Sequence, residues 1–185
     1  MEDISTIAQL KAWLHAQEID FEAWGANATK SVANLWTEIN TGEARLEANP
    51  PRRLVEVARV LIRRDDQILI EVGQEFVNGQ TRQRNSPPSE KMRPHETYVA
   101  AARRCLTEEL GLSPESITVF KERYRRKVRE KESESYPGLV TRYVIHVVEA
   151  TSPALPEGPF CTKEEASGPG DPVKRHHWEW KPIRK

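Results

Sequence analysis

The chain has 185 residues, enough for one domain with an appendage but too few for two full domains. Its 28 Lys and Arg balance its 28 Asp and Glu, and this zero net charge argues against a dedicated nucleic-acid-coating protein, which would show a basic excess. No apolar stretch reaches the roughly 18 residues of a membrane span, and the first residues lack the apolar core of a secretory signal. The two cysteines form neither a disulfide framework nor a zinc motif. These features predict a cytoplasmic protein without a membrane anchor.

Residues 1–48 predict a small helical extension. Leu10 and Leu14 recur at helical spacing after residues that can cap a helix, and a second amphipathic helix is expected over residues 29–39. The following Asn49-Pro50-Pro51 ends the segment, because consecutive prolines cannot extend a helix. Apolar stripes of this size are seldom left in water. The extension is therefore expected to pack on the rest of the chain, or to bind a second copy or another partner.

Residues 54–182 predict one α/β (α+β) domain, with strands before and after a central helix. The residues from Leu54 are dense in β-branched side chains, and Asn78-Gly79 is a strong hairpin signal. A helix is expected over residues 97–110, with Gly111 as its C-cap and Ala101 and Leu106 facing inward. The remaining expected elements are strands in ITVFKERYRR and LVTRYVIHVVEA, and an irregular loop from Ala150 to Val173. The segment HHWEW is expected to be a last strand or a strand-helix junction.

Charged residues of the central helix are the pattern with most chemical content. Glu96 is expected at the helix N-terminus, where the dipole favours a carboxylate, and Arg104 and Glu108 are spaced to pair. Glu108 and Glu109 are about 100° apart around the helix axis. Two such carboxylates suit Mg²⁺, which takes one or two from the protein and completes its shell with water and phosphate oxygens. Adjacent glutamates near a helix end are also common on solvated surfaces, so the pair by itself decides nothing.

The longer run resembles the signature of the Nudix hydrolases, G-x5-E-x7-R-E-U-x-E-E-x-G-U, where U is aliphatic. Seven of the nine constrained positions match, and they are Glu96, Arg104, Leu106, Glu108, Glu109, Gly111 and Leu112. The resemblance implies a Nudix-like mixed sheet packed with the signature helix. It also implies hydrolysis of a nucleoside diphosphate linked to another group, with Mg²⁺ or Mn²⁺ as cofactor and a small nucleotide-like ligand as the partner.

The resemblance also implies roles for individual residues. The catalytic residues would be Arg104, Glu108 and Glu109, and the metal ligands would be Glu96, Glu108 and Glu109. The loop before the helix looks like the family's P-G-G-K-x-x-P-G-E loop, and its substrate-binding residues would be Lys91 and Arg93. The general base of the family lies outside the signature, and the candidates by position alone are Glu122, Glu130, Glu132 and Glu134.

Two signature positions differ from the family pattern. The opening glycine is Glu90, which restricts the backbone where the family brings it close to metal and diphosphate. The glutamate after Arg104 is Cys105, and a thiol is a soft ligand that suits Mg²⁺ poorly. The sequence therefore leaves two functions open, a weak hydrolase and a catalytically silent Nudix-fold module that binds a nucleotide, metabolite or protein. A purely structural or interaction domain is the third alternative.

Two further signals have competing interpretations. Residues 121–134 hold seven bases against four acids, which fits an anion-binding hairpin for a phosphate or an RNA backbone. Solvated strands with mixed charges fit equally and are commoner, so they are the preferred prediction. Cys105 beside Arg104 would be a nucleophile only if its pKa were lowered. Since no Cys-His pattern accompanies it, a half-buried structural thiol is expected.

Overall fold

A computed structural model describes residues 4–26, 29–163 and 173–183. Its helices are α1 (Ile7–Ala16), α2 (Val32–Asn40) and α3 (Tyr98–Leu110), with a one-turn 3-10 helix at Pro114–Ser116. The strands are β1 (Arg45–Ala48), β2 (Pro51–Arg64), β3 (Gln67–Phe76), β4 (Thr81–Ser86), β5 (Ser89–Lys91), β6 (Thr118–Glu132), β7 (Val140–Thr151), β8 (Phe160–Lys163) and β9 (Val173–Pro182). None of the helices in the described ranges has the length and apolarity needed to cross a membrane.

These strands form one mixed sheet with the order β6-β7-β2-β3-β9-β8, while β1 and β5 pair with β2 and β4 pairs with β3. The predicted hairpin at Asn78-Gly79 is confirmed, because β3 and β4 are antiparallel on either side of it. Gly79 has a φ of +81°, a conformation that glycine adopts without strain. The predicted final strand is confirmed as β9, which pairs with β3 along its length.

The chain divides into two compact units. Unit 1 comprises Met1–Val57, Lys91–His95 and Lys127–Ile145, and unit 2 comprises Ala58–Glu90, Glu96–Arg126 and His146–Lys185. Each unit has its own cluster of buried apolar side chains. The nine constrained positions of the Nudix-like signature all belong to unit 2, whereas the intervening Lys91–His95 belong to unit 1.

Unit 2 is built around α3, which packs on the sheet. Thr97 caps the helix through its side chain, which accepts a hydrogen bond from Ala100 N, and Gly111 ends it in the left-handed region at φ +66°. Ala101 and Leu106 are buried, as predicted, and Leu106 belongs to the same core cluster as Trp178 of β9. The local sequence therefore determines where α3 begins and ends, and the core determines which face points inward.

The prediction of an irregular loop from Ala150 to Val173 is wrong in part. Strand β7 continues to Thr151, and Phe160–Lys163 forms β8, which is antiparallel to β9. A run rich in Pro, Gly and Ser gives no strand signal, and this four-residue strand depends on its pairing with β9. Residues 152–159 contain neither helix nor strand, as predicted, and residues 164–172 lie outside the described residues.

Unit 1 is built on the apolar stripes of α1 and α2. Leu10 and Leu14 of α1 and Leu35 of α2 are fully buried in one cluster with Tyr136. The prediction that these stripes are covered is confirmed, and residues of the same unit cover them. The helical prediction for residues 1–48 is wrong at its end, since Arg45–Ala48 forms β1 and pairs with β2.

A buried carboxylate, Glu38 of α2, is surrounded by cations within unit 1. Its carboxylate oxygens lie 2.6 Å from Arg53 Nη2, 2.7 Å from Lys91 Nζ and 2.9 Å from Lys30 Nζ. Burial opposes ionisation of Glu38, but the three cations outweigh it and lower its pKa from 4.5 to about 2. Unit 1 therefore has a buried ion cluster in addition to its apolar core.

The lowered pKa of Glu38 predicts a loss of stability in acid. A carboxyl group with a pKa depressed by folding stabilises the protein above its unfolded value of 4.5, and this contribution disappears as pH falls toward about 2. The full contribution is about 3 kcal/mol. Urea unfolding between pH 6 and pH 3 should show a steeper fall for the parent than for Glu38→Gln. Parallel curves would show that the cluster does not favour the ionised form.

Candidate active site

The guanidinium of Arg104 is the centre of the charged face of α3. Its Nε and Nη2 donate to the two carboxylate oxygens of Glu96 at 2.9 and 3.0 Å, and its Nη1 donates to Glu108 at 3.0 Å. The predicted pairing of Arg104 with Glu108 is confirmed. Burial disfavours the charged guanidinium, but these carboxylates outweigh it and hold the pKa of Arg104 well above its usual range. A bidentate pair of this kind fixes orientation as well as charge.

Glu96 lies before the helix rather than in its first turn. The helix begins at Tyr98, Thr97 is the N-cap, and Glu96 precedes the cap. Instead of serving the helix dipole, its carboxylate reaches Arg104, eight residues further along the chain. The interaction ties the residue before the N-cap to the middle of the helix.

Glu90, which replaces the signature glycine, approaches the same guanidinium. Its Oε1 lies 3.9 Å from Arg104 Nη1, longer than the bonds to Glu96 and Glu108. A glycine in this position could contribute no charge. The substitution therefore adds a third carboxylate to the surroundings of Arg104.

Cys105, which replaces the signature glutamate, is part of the core. Its side chain is fully buried in the cluster that joins α3 to the sheet, so the expectation of a half-buried thiol is wrong in degree. Burial raises the pKa of Cys105 well above its usual value, and the charges of Glu109 and Glu90 add to that effect. The thiol donates to the Glu109 carboxylate. A protonated, buried thiol of this kind is structural and not a nucleophile.

The two helix glutamates meet different surroundings. Glu108 is partly exposed and bound to Arg104, whereas Glu109 is nearly buried and accepts from Cys105. Among residues 4–26, 29–163 and 173–183, no group of three or more His, Cys, Asp or Glu is placed to hold a metal ion. The metal set of Glu96, Glu108 and Glu109 stays a prediction.

Residues of β8 and β9 hold the end of α3 in place, and sequence reasoning did not find them. Thr162 donates from its hydroxyl to the main-chain oxygen of Glu109 at 2.5 Å, and Trp178 Nε1 donates to the same hydroxyl at 2.8 Å. These bonds satisfy one of the carbonyls of the last turn, which have no hydrogen-bond partner within the helix itself. They position the backbone that carries Glu109.

The predicted substrate-binding residues belong to unit 1. Lys91 lies between two carboxylates, Glu38 at 2.7 Å and Glu43 at 3.1 Å, and Arg93 is exposed. Their role in substrate binding stays a prediction.

Three of the four general-base candidates also belong to unit 1. There, Glu130 pairs with Arg52, Glu132 accepts a hydrogen bond from Gly138 N, and Glu134 pairs with Lys131. The fourth candidate, Glu122, is an exposed residue of unit 2.

The sequence that contains this arrangement matches a known protein family. The model of the NUDIX domain matches residues 52–180, well over half of the chain. The chain is a member of the Nudix family. Helix α3 is its signature helix, and the predicted fold class, a Nudix-like mixed sheet packed with that helix, is confirmed. No curated protein matches the sequence closely enough to count as a relative.

Solved structures resemble the chain only distantly. An Ap4A hydrolase binary complex from C. elegans matches with 16% identity and a TM-score of 0.40, over 69% of this chain and 79% of that one. A NUDIX hydrolase from Nitrosomonas europaea matches with 16% identity and a TM-score of 0.40, over 67% of this chain and 70% of that one. At such low scores these likenesses carry no argument, and the family assignment rests on the family model.

The geometry around Arg104 predicts strong coupling to Glu96. Arg104→Gln should lower the free energy of unfolding by roughly 2–3 kcal/mol, because it leaves partly buried carboxylates without their cation. Arg104→Lys should recover only part of this, since an ammonium cannot make the bidentate bond. A double-mutant cycle with Glu96→Gln, followed by urea unfolding, measures the coupling. A coupling energy near zero would contradict the geometry.

Proposed function

We propose that this Nudix protein hydrolyses a nucleoside diphosphate linked to another group, with Mg²⁺ or Mn²⁺ as cofactor and at a low rate. The observation that carries the proposal is the bidentate pair between Arg104 and Glu96, together with the bond from Arg104 to Glu108. This pair organises the carboxylates of the signature helix even though two signature positions have changed. Removing these charged groups from water is unfavourable, and a helix that served packing alone would not require it.

The residues present meet the lower limit for a magnesium site. Mg²⁺ binds through one or two protein carboxylates and takes its remaining ligands from water and substrate phosphates. Glu108 is partly exposed and would be the first ligand, and Glu109 would be the second. Cys105 cannot be a third, because its thiol is soft, protonated and fully buried. Two carboxylates instead of three predict weak binding of the metal.

The bound metal would supply charge neutralisation of the diphosphate and activation of a water for attack at phosphorus. Arg104 would orient the Glu108 carboxylate through its Nη1 bond. Glu96 would fix the plane of the guanidinium by accepting two of its N–H groups. The bonds from Thr162 and Trp178 would keep the last turn of α3 from fraying, which holds Glu109 at a constant position.

A binding module without catalysis is the second candidate. The observation that favours it is the full burial of Cys105 in the core, where the family has a glutamate. Such a module would bind a nucleotide, a metabolite or a protein without turnover.

The proposal also includes several predictions from sequence. They are a small nucleotide-like ligand, a cytoplasmic location, a substrate role for Lys91 and Arg93, and association through the N-terminal helices. The division into a 1–48 extension and a 54–182 domain is a further prediction of this kind.

The hydrolase proposal predicts metal-dependent turnover that depends on Glu108 and Glu109. A phosphate-release screen over nucleoside diphosphate derivatives should find a substrate with Mg²⁺ or Mn²⁺ and none with chelator. Glu108→Gln and Glu109→Gln should each lower kcat about 100-fold. Glu115→Gln, an equal change at an exposed residue of the 3-10 helix, is the matched control and should leave kcat unchanged. Ligand binding without turnover for any compound would favour the silent module.

The missing carboxylate predicts a gain of metal affinity on restoration. Cys105→Glu places a carboxylate three residues before Glu108 and four before Glu109, spacings that bring side chains together on a helix. In chelator the variant should be less stable than the parent, because it buries a third negative charge. Mg²⁺ should recover that loss, and calorimetric titration should show tighter Mg²⁺ binding than in the parent. Cys105→Ser is the control for the loss of the thiol, and equal Mg²⁺ binding by all three proteins would sink the two-carboxylate site.

A further inference from the structure

A buried carboxylate of unit 2, Glu149 of β7, is the meeting point of three arginines. Arg63 of β2 donates to it from Nε at 3.0 Å and from Nη2 at 3.4 Å. Arg123 and Arg125 of β6 donate to its two oxygens at 3.1 and 3.2 Å. Burial opposes ionisation of Glu149, but the hydrogen bonds and charges of Arg123 and Arg63 lower its pKa. Three guanidiniums around one carboxylate leave a surplus of two positive charges in the cluster.

The arginine cluster lies on the sheet face opposite to the signature helix. Ile62 and Val148 belong to the core under α3, and the next residue along each strand, Arg63 or Glu149, points to the other face. Tyr124 stacks on Tyr98 of α3 at 4.3 Å, so its neighbours Arg123 and Arg125 also point away from the helix. The cluster is therefore separate from the carboxylates of α3.

A small cavity opens beside Arg63 and Arg123. It has a volume of about 200 Å³ and is lined by Arg63, Phe120, Arg123, Glu149, Ala150 and Thr151. Pockets for drug-sized ligands have roughly 300–1,000 Å³, so this space fits one or two phosphate groups better than a whole nucleotide. The guanidinium of Arg123 lies 5.2 Å from the centre of the Phe120 ring, which supports it from one side.

We propose that this cavity binds a phosphate or diphosphate group of a small ligand. The guanidinium fork matches the oxygens of a phosphate, and each of the three arginines has N–H groups beyond those bonded to Glu149. Arg123 and Arg125 are about half exposed, at 56 and 55% of their side-chain surface, so a ligand can reach them without unfolding the sheet. Glu149 holds the three side chains together and competes with the ligand for the same donors.

Calorimetric titration of the protein with inorganic phosphate and with pyrophosphate tests the site. The titrations contain a chelator, so that a metal bound at α3 cannot contribute to the binding of either anion. Arg123→Gln should raise Kd about ten-fold, because Arg123 lines the cavity. Arg125→Gln should raise Kd less, because Arg125 bonds to Glu149 without lining the cavity. Arg126→Gln is the matched control, because Arg126 is an exposed neighbour on the same strand that faces the other side of the sheet. Glu149→Gln should lower Kd, since it removes the competing carboxylate while retaining the shape of the side chain.

Three results would overturn the proposal. The first is the absence of phosphate or pyrophosphate binding by the parent. The second is binding that Arg123→Gln, Arg125→Gln and Arg126→Gln weaken to the same degree, because that pattern reports net charge and not a site. The third is tighter binding of single-stranded RNA than of pyrophosphate with equal losses in all three variants, which would indicate a nucleic-acid surface instead. Urea unfolding of each variant separates a lost site from a lost fold.

Discussion

Charge compensation of carboxylates inside the fold is the constraint on which this structure depends. An ionised carboxylate that loses its water without gaining a cation would cost several kcal/mol. Glu38 meets this requirement with Arg53 and two lysines, and Glu71 of β3 meets it with Arg84, with a further hydrogen bond to His176. A guanidinium takes part each time because it stays charged and can bond in its plane to two oxygens. Hydrophobic packing forms the two cores, and these ion clusters hold side chains of different helices and strands in fixed positions within each unit.

The same constraint shapes the signature helix. Arg104 bonds to Glu96 and Glu108, and Glu90 lies 3.9 Å from it. One positive charge is therefore surrounded by three carboxylates. The replacement of a glutamate by Cys105 relieves this imbalance by one charge and puts an apolar group into the core. The exchange favours the packing of α3 on the sheet. The weaker cation binding that two carboxylates would give belongs to the proposal and stays a prediction.

Local sequence accounts for much of the fold and for part of the site. Thr97 and Gly111 delimit α3 through hydrogen bonds to residues of the first and last turns of the same helix. Asn78-Gly79 likewise closes its hairpin through residues close together in sequence. The pairing of Arg104 with Glu108 follows from helical spacing alone. Strand β8 could not be found in this way, since its four residues have no periodicity and gain their hydrogen bonds from a partner strand.

By itself the sequence determined the family, the limits of the signature helix and the two positions at which the signature departs. These properties depend on residues close together in the chain, where spacing implies geometry. Only the tertiary structure decided that Lys91 pairs with Glu38, that Thr162 holds the end of α3, and that three arginines meet at Glu149. Each of these contacts joins residues that are tens of positions apart in sequence. Their contacts are set by strand order and burial, which no local pattern encodes.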